Sequence, residues 1–359
     1  MNKYLIAITL TITFGTIYGK GIDSNQYERG IPPRIIRTCC AFGDSVGFMG
    51  FPFINRSDII ALEDIGTHHY LGGKSEDNGI LYTYKGGFID TGHLRDQSDW
   101  TAYLHALIMH KRGNTDFDLV LGREGGQKKL KLSIPKDFTN EDAARLAGRI
   151  AYDLSVWHEI ATWYGASTVP LVPERYSSFS AEDDYSNQLG VVLGIQSILS
   201  NDPFELAMAK NLSNKLKELQ VAKTIEESCH AMDLVDGKWW SKEYDLPSKY
   251  FLLEHEVSSY NTTFPLLVPE LNPEKIKPIP VEIKKVTSTE IPLDHFYTLE
   301  FNLNGKLPYV RIFHERKSKR IITSADFKLV LEHISTEIKL LKYRKLKRKK
   351  GKKNQWEEI

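Results

Sequence analysis

Apolar residues recur along this chain with two different periods, and the switches between them divide it into elements. Residues 80–89 have strand composition, with Leu81, Tyr82, Tyr84 and Phe88, and residues 117–122 and 129–134 read as two more strands around the turn Glu124-Gly125-Gly126. Ala143, Leu146, Ile150, Leu154, Trp157 and Ala161 recur at helical spacing, which predicts a helix from near Thr139 or Asn140 to Gly165. Glu141 and Asp142 fall in its first turn, where negative charge is favourable, and Gly165 is placed to stop it. A second helix starts at Ser180, where Ser180-Ala181-Glu182-Asp183 is a capping box with Asp in the place of Glu or Gln. Further helices are predicted over 203–220, over 221–232, and through Trp100, Tyr103, Leu104, Leu107 and Ile108 with Ser98 or Asp99 as the cap.

Proline becomes more frequent after Gly237-Lys238-Trp239-Trp240, up to about residue 280. Residues 296–303 and 307–313 then flank Asn304-Gly305, a hairpin signal, and a last helix begins near Ser324. The fold class is therefore α+β: a helix-rich body with short antiparallel strands and a C-terminal β-hairpin plus helix. The expected organisation is a main domain over 38–280, a hairpin-helix lobe over 281–338 that stands apart or packs on the main body, and a tail over 339–359.

Composition agrees with a folded body, since 41% of the 359 residues are hydrophobic and 11% aromatic, enough to bury a full core. The first 19 residues have the basic start, apolar run and small residue of a secretory signal peptide, with an apolar part too short to span a bilayer, and 20–37 reads as a linker. No later apolar run is long enough to cross a membrane, so the mature chain is expected to be secreted or periplasmic, with no transmembrane span. In an oxidising compartment Cys229 would pair with Cys39 or Cys40; three buried, reduced cysteines are the other arrangement. Charge is uneven. Ten of the fifteen residues from Lys339 to Lys353 are Lys or Arg although the whole chain has a net charge of +1, so the body is acidic and the tail strongly basic. Such a tail suits an anionic lipid or polymer, nucleic acid being the least available partner for an exported protein.

Two places concentrate reactive side chains. Trp157-His158-Glu159-Ile160-Ala161-Thr162 begins like the zinc-protease helix HExxH but has Thr162 where the second histidine would stand. His-Glu also occurs at 255–256 and 314–315, so the dipeptide alone says little; His158 is distinguished by lying at the border of its helix's apolar stripe, next to a strip of small residues. Small residues on the following helix, Gly190 and Gly194 among them, would let the two helices approach and bring His158 and Glu159 to Asp183 and Asn187. The second place is Asp90 to Asp96, read as a polar loop after a strand, where His93 could ligate a metal through a neutral imidazole with Asp90 beside it. A salt-bridged turn around Arg95 and a packed, fully satisfied helix pair are the structural readings of the same residues.

Segments in one order from Thr38 to Phe251, namely Thr38-Cys39-Cys40-Ala41-Phe42-Gly43, Phe88-Ile89-Asp90-Thr91-Gly92-His93-Leu94-Arg95-Asp96, the helix containing His158, the stretch from Tyr176 to Asn187, and Val235-Asp236-Gly237-Lys238-Trp239-Trp240, together resemble the bacterial secreted family called domain of unknown function 4056. The resemblance implies little about activity. From the residues themselves, the expectation is a metal-dependent hydrolase of the bacterial cell envelope, with a divalent ion such as zinc held by His93, His158 and Asp90 or Asp183. Glu159 would activate water and Arg95 would steady the oxyanion. The competing expectation is a non-enzymatic envelope protein tethered by its basic tail.

Overall fold

The computed structural model describes residues 33, 37, 42–43, 47–48, 51–55, 59–166, 178–240, 262–272, 275–314 and 320–356. The expected signal peptide, most of the expected linker, and Cys39 and Cys40 lie outside the described residues. Strands β1 (Gly47–Phe48) and β2 (Phe51–Asn55) pair antiparallel, as do β3 (Ile80–Thr83) and β4 (Gly87–Asp90). The β3–β4 connection depends on Gly87, whose φ is +65° and whose added Cβ would fall 2.3 Å from the carbonyl oxygen of Leu266.

Helix α1 (Thr91–His110) follows β4 without a loop. Asp90 is its N-cap, and Oδ1 accepts the N–H groups of Gly92 at 2.7 Å and His93 at 3.1 Å. The run Asp90 to Asp96, expected as a polar loop ahead of a cap at Ser98 or Asp99, is thus the start of a buried helix. Its turn-like composition misleads because Arg95 and Asp96 find their partners on other elements instead of in water. Arg95 donates to the carbonyls of Ile65 and Asp77 and to Asn78. Asp96 and Asp99 each accept from Arg37 at 2.8 Å, and Arg37 also forms a two-bond pair with Glu76. Arg37, placed by the sequence in a linker, is accordingly 5% exposed and fixed to the body.

Hairpin β5 (Phe117–Arg123) and β6 (Gly126–Leu132) leads into α2 (Asn140–Trp163), capped by Thr139 as expected. Helices α3 (Asp183–Ile198), α4 (Phe204–Glu218) and α5 (Ile225–Leu234) follow. The glycines of α3 receive α1 and not α2: a Cβ on Gly190 would lie 2.1 Å from Leu94 O, and one on Gly194 3.0 Å from Ser98 Cα. On the α2 side the close approach comes from Gly148, which faces Val191 and Ile195.

The short pair β7 (Thr262–Thr263) and β8 (Val281–Glu282) precedes β9 (Tyr297–Leu303), α6 (Tyr309–Phe313), β10 (Ile321–Thr323) and α7 (Phe327–Trp356). The expected C-terminal strand pair and helix are present, as β9 paired antiparallel with β10 and followed by α7, but the chain does not turn back as a hairpin at Asn304-Gly305. β9 lies between β6 and β10 in a four-stranded antiparallel sheet, so both its edges are occupied, and Pro308, which has no N–H to give to a ladder, precedes the short helix α6. Nor do residues 281–338 stand apart as a lobe. β9 pairs with β6 from Gly126↔Leu303 to Leu132↔Tyr297, and Trp157 of α2 stacks on Phe301 at 4.2 Å between centroids and on Phe327 of α7 at 6.3 Å. The body is α+β, and among the described residues no helix is long and apolar enough to cross a membrane.

Candidate active site at the ends of three helices

The start of α1, the end of α2 and the start of α3 meet at one end of the helix group. His93 and Asp90 come from the first, His158 and Glu159 from the second, and Asp183 from the third. His93 Nδ1 lies 3.2 Å from Asp183 Oδ1, with the two side chains 6% and 1% exposed. The His93 and His158 rings stand edge to face with centroids 6.5 Å apart. Three segments far apart in the sequence thereby share one buried region, and the helix ends explain how. Asp183 is held by the turn before it, since its Oδ2 accepts the N–H and the Oγ–H of Ser180, each at 2.7 Å. That leaves Oδ1 toward His93. The expected capping box does not form, because the Asp183 N–H goes to the Ser180 carbonyl and α3 begins at Asp183, with Glu182 at the cap position.

Glu124 is the participant that sequence reasoning missed, having registered it only as part of a turn. Gly125 takes φ of +61° and a Cβ there would lie 3.0 Å from both Ala161 Cβ and Trp157 Cζ2, so the β5–β6 turn rests directly on α2. Trp157 Nε1 donates to the Glu124 carbonyl at 2.9 Å, and the Glu124 carboxylate meets His158 Nδ1 at 2.5 Å and Lys128 Nζ at 2.9 Å. The only signal in the sequence was the pair of glycines next to it, which marks close backbone approach but names no partner.

Charge in this region is sorted sharply. Burial works against protonating His158, but the charge and hydrogen bond of Glu124 outweigh it and raise its pKa. Burial likewise opposes ionisation of Glu124, yet Lys128 and His158 hold its carboxyl well below the usual range. Glu159 is pushed the other way, to about 7, by burial and then by the charge of Asp183, with His158 and His93 pulling against the shift. Its Oε2 accepts the N–H of Phe179 at 2.7 Å, a residue held at φ +57°. Burial also raises the pKa of Asp90, whose Oδ2 has no hydrogen-bond partner among the described residues. Arg95 stands away from the group: its guanidinium is spent on Ile65, Asp77 and Asn78, so it holds the 65–78 segment to α1 and does not reach an oxyanion here.

A divalent metal is chemically plausible for two imidazoles that each rest Nδ1 on a carboxylate, the usual support for metal-bound histidine. The spacing does not fit one ion. Zinc–nitrogen bonds of roughly 2.0 to 2.1 Å in a tetrahedral site bring two ligating rings to about 5 Å between centroids, closer than the 6.5 Å found. Asp183 is engaged by Ser180 and His93, and Asp90 gives Oδ1 to its helix cap, which leaves only its Oδ2 open. Among the described residues no group of three or more His, Cys, Asp or Glu is arranged to hold a metal.

A family model described as "Protein of unknown function (DUF4056)" matches residues 28–269, more than half of the chain, and these include all three helix ends. No curated protein and no solved structure matches.

Proposed function

The chain belongs to the DUF4056 family of proteins of unknown function, and from the site that this region contains we propose that it is a hydrolase of neutral acyl bonds, amide or ester, with Glu159 as general base and the His158 imidazolium as general acid. One observation carries the reading: adjacent residues of one helix have proton affinities set for opposite tasks. Glu159, pushed to about 7, exchanges its proton near neutral pH, while Glu124, against the opposing effect of burial, raises the proton affinity of His158. A reaction that takes one proton and gives another needs such a pair.

In the proposed step the Glu159 carboxylate removes a proton from water as the water oxygen bonds to the carbonyl carbon. His158 then gives its proton to the leaving nitrogen or oxygen as the carbon–nitrogen or carbon–oxygen bond breaks. Proton transfer from Glu159 back to His158 restores both groups. His93, set beside Asp183, orients the water between the rings. Asp90, Glu124, Glu159 and Asp183 outnumber the cations beside them, His158 and Lys128, and so disfavour an anionic substrate such as a phosphoester. That is why a neutral acyl group is the better match. Export to the cell envelope belongs to this reading and rests on the N-terminal pattern; recovery of intact Met1 from the cytosol of the native host would remove it.

The test is turnover of a panel of fluorogenic esters and peptide amides by the full chain, with and without EDTA. Hydrolysis should survive the chelator and fall by ~10²–10⁴-fold in Glu159→Gln and in His158→Gln, with circular dichroism unchanged. No turnover of any panel member, or activity abolished by EDTA and restored by zinc, would sink the proposal, the second outcome returning the metal-dependent reading to first place.

A further inference from the structure

Helix α7 is one continuous helix of 30 residues, about 45 Å long at 1.5 Å per residue. Its first part belongs to the body: Phe327, Val330, Leu331, Ile334 and Ile338 are all buried, and Phe327 touches the ring stack at Trp157. Burial stops there. Leu340 is 52% exposed and Leu341 36%, and from Lys339 to Lys353 the sequence has ten Lys or Arg and no acidic residue. At the helical period those basic positions surround the axis instead of forming one stripe, and Leu340, Leu341, Tyr343 and Leu346 are interleaved with them.

We propose that α7 beyond Ile338 is a docking element that seats the protein on an anionic lipid surface. The basic positions supply long-range attraction to acidic head groups, worth about 1 kcal/mol each near such a surface. The interleaved leucines favour a bilayer over a nucleic acid, since aliphatic side chains partition into the head-group and acyl boundary but gain nothing from a phosphate backbone. Anchoring in the core gives the element its purpose: the helix is rooted next to Trp157, on the same helix as His158, so binding through the tail places the body at a fixed remove from the surface.

The experiment uses the full chain with sedimented vesicles of phosphatidylglycerol and phosphatidylcholine, compared with vesicles of phosphatidylcholine alone. Binding should require phosphatidylglycerol and fall by about a hundredfold between 0.1 M and 1 M salt, as the Debye length shrinks from about 10 Å to about 3 Å. Replacing Lys345, Lys347, Lys349 and Lys350 together by Gln should weaken it by roughly a thousandfold at low salt, at ~1 kcal/mol per charge. Leu340→Ser with Leu341→Ser should weaken vesicle binding and leave association with duplex DNA unchanged. Thermal unfolding checks that the variants keep the wild-type fold. Equal binding to both vesicle types overturns the proposal. So does tight DNA binding with vesicle binding insensitive to the leucine changes, which would mark a general polyanion binder.

Discussion

Glu159 makes the clearest residue-scale prediction, because its shift has a definite sign in stability. Its carboxyl ionises near 7 in the folded chain against an ordinary value of 4.5, so the folded state binds its proton more tightly than the unfolded state does. That contribution is complete below about pH 4.5 and is lost as pH rises through 7. His158, also raised, loses its share above its ordinary value of 6.5, so both act in one direction. The melting temperature should therefore decline from pH 5 to pH 8, and the decline should be shallower in Glu159→Gln. Asp96, pushed to about 7, and Asp184, to about 6, share the sign and keep the slope from vanishing in the variant. An identical slope in wild type and Glu159→Gln, followed by scanning calorimetry, would mean that Glu159 is not a buried proton-holding group.

Among the elements, the α1–α3 contact has the least tolerance. Ala has the better helix propensity by about 1 kcal/mol, so Gly190→Ala would stabilise an exposed helix. Here its Cβ would press to 2.1 Å from Leu94 O, a backbone atom that moves only with α1, and a net loss of about 1–3 kcal/mol in urea unfolding is expected. The same elements show what could be read in advance. α2 was legible at both ends because Thr139 caps it, acids fill its first turn and its apolar stripe recurs at 3.6 residues. α1 was misplaced by a full two turns because Asp90-Thr91-Gly92-His93-Leu94-Arg95-Asp96 has the composition of a loop, and only the tertiary partners, Arg37 with Asp96 and Arg95 with Ile65 and Asn78, reveal that polar residues lie inside. His93, His158, Glu159 and Asp183 could be singled out by local motif. Glu124 could not, since its contact with His158 spans 34 residues and depends on how a hairpin turn lies on a helix.

At the scale of the whole molecule, the sheet does not respect the division suggested by composition. β6 needs β9, and the faces of Trp157 need Phe301 and Phe327, so a chain ending at residue 280 should express as an aggregating or partly folded species; a cooperative, monomeric melt of that fragment would contradict this account. The same junction reaches the candidate site. Asn304 N–H, just past the end of β9, donates to Gly125 O at 3.0 Å, and a Cβ on Gly126 would meet Asn302 O at 2.2 Å, so the C-terminal strand clasps the very turn that offers Glu124 to His158. The strand lies beyond residue 269, where the match to the family ends. Divergence among relatives in that last quarter would thus be felt first as a change in the proton affinity of His158, with the residues of the three helix ends untouched: a tuning peg outside the shared instrument.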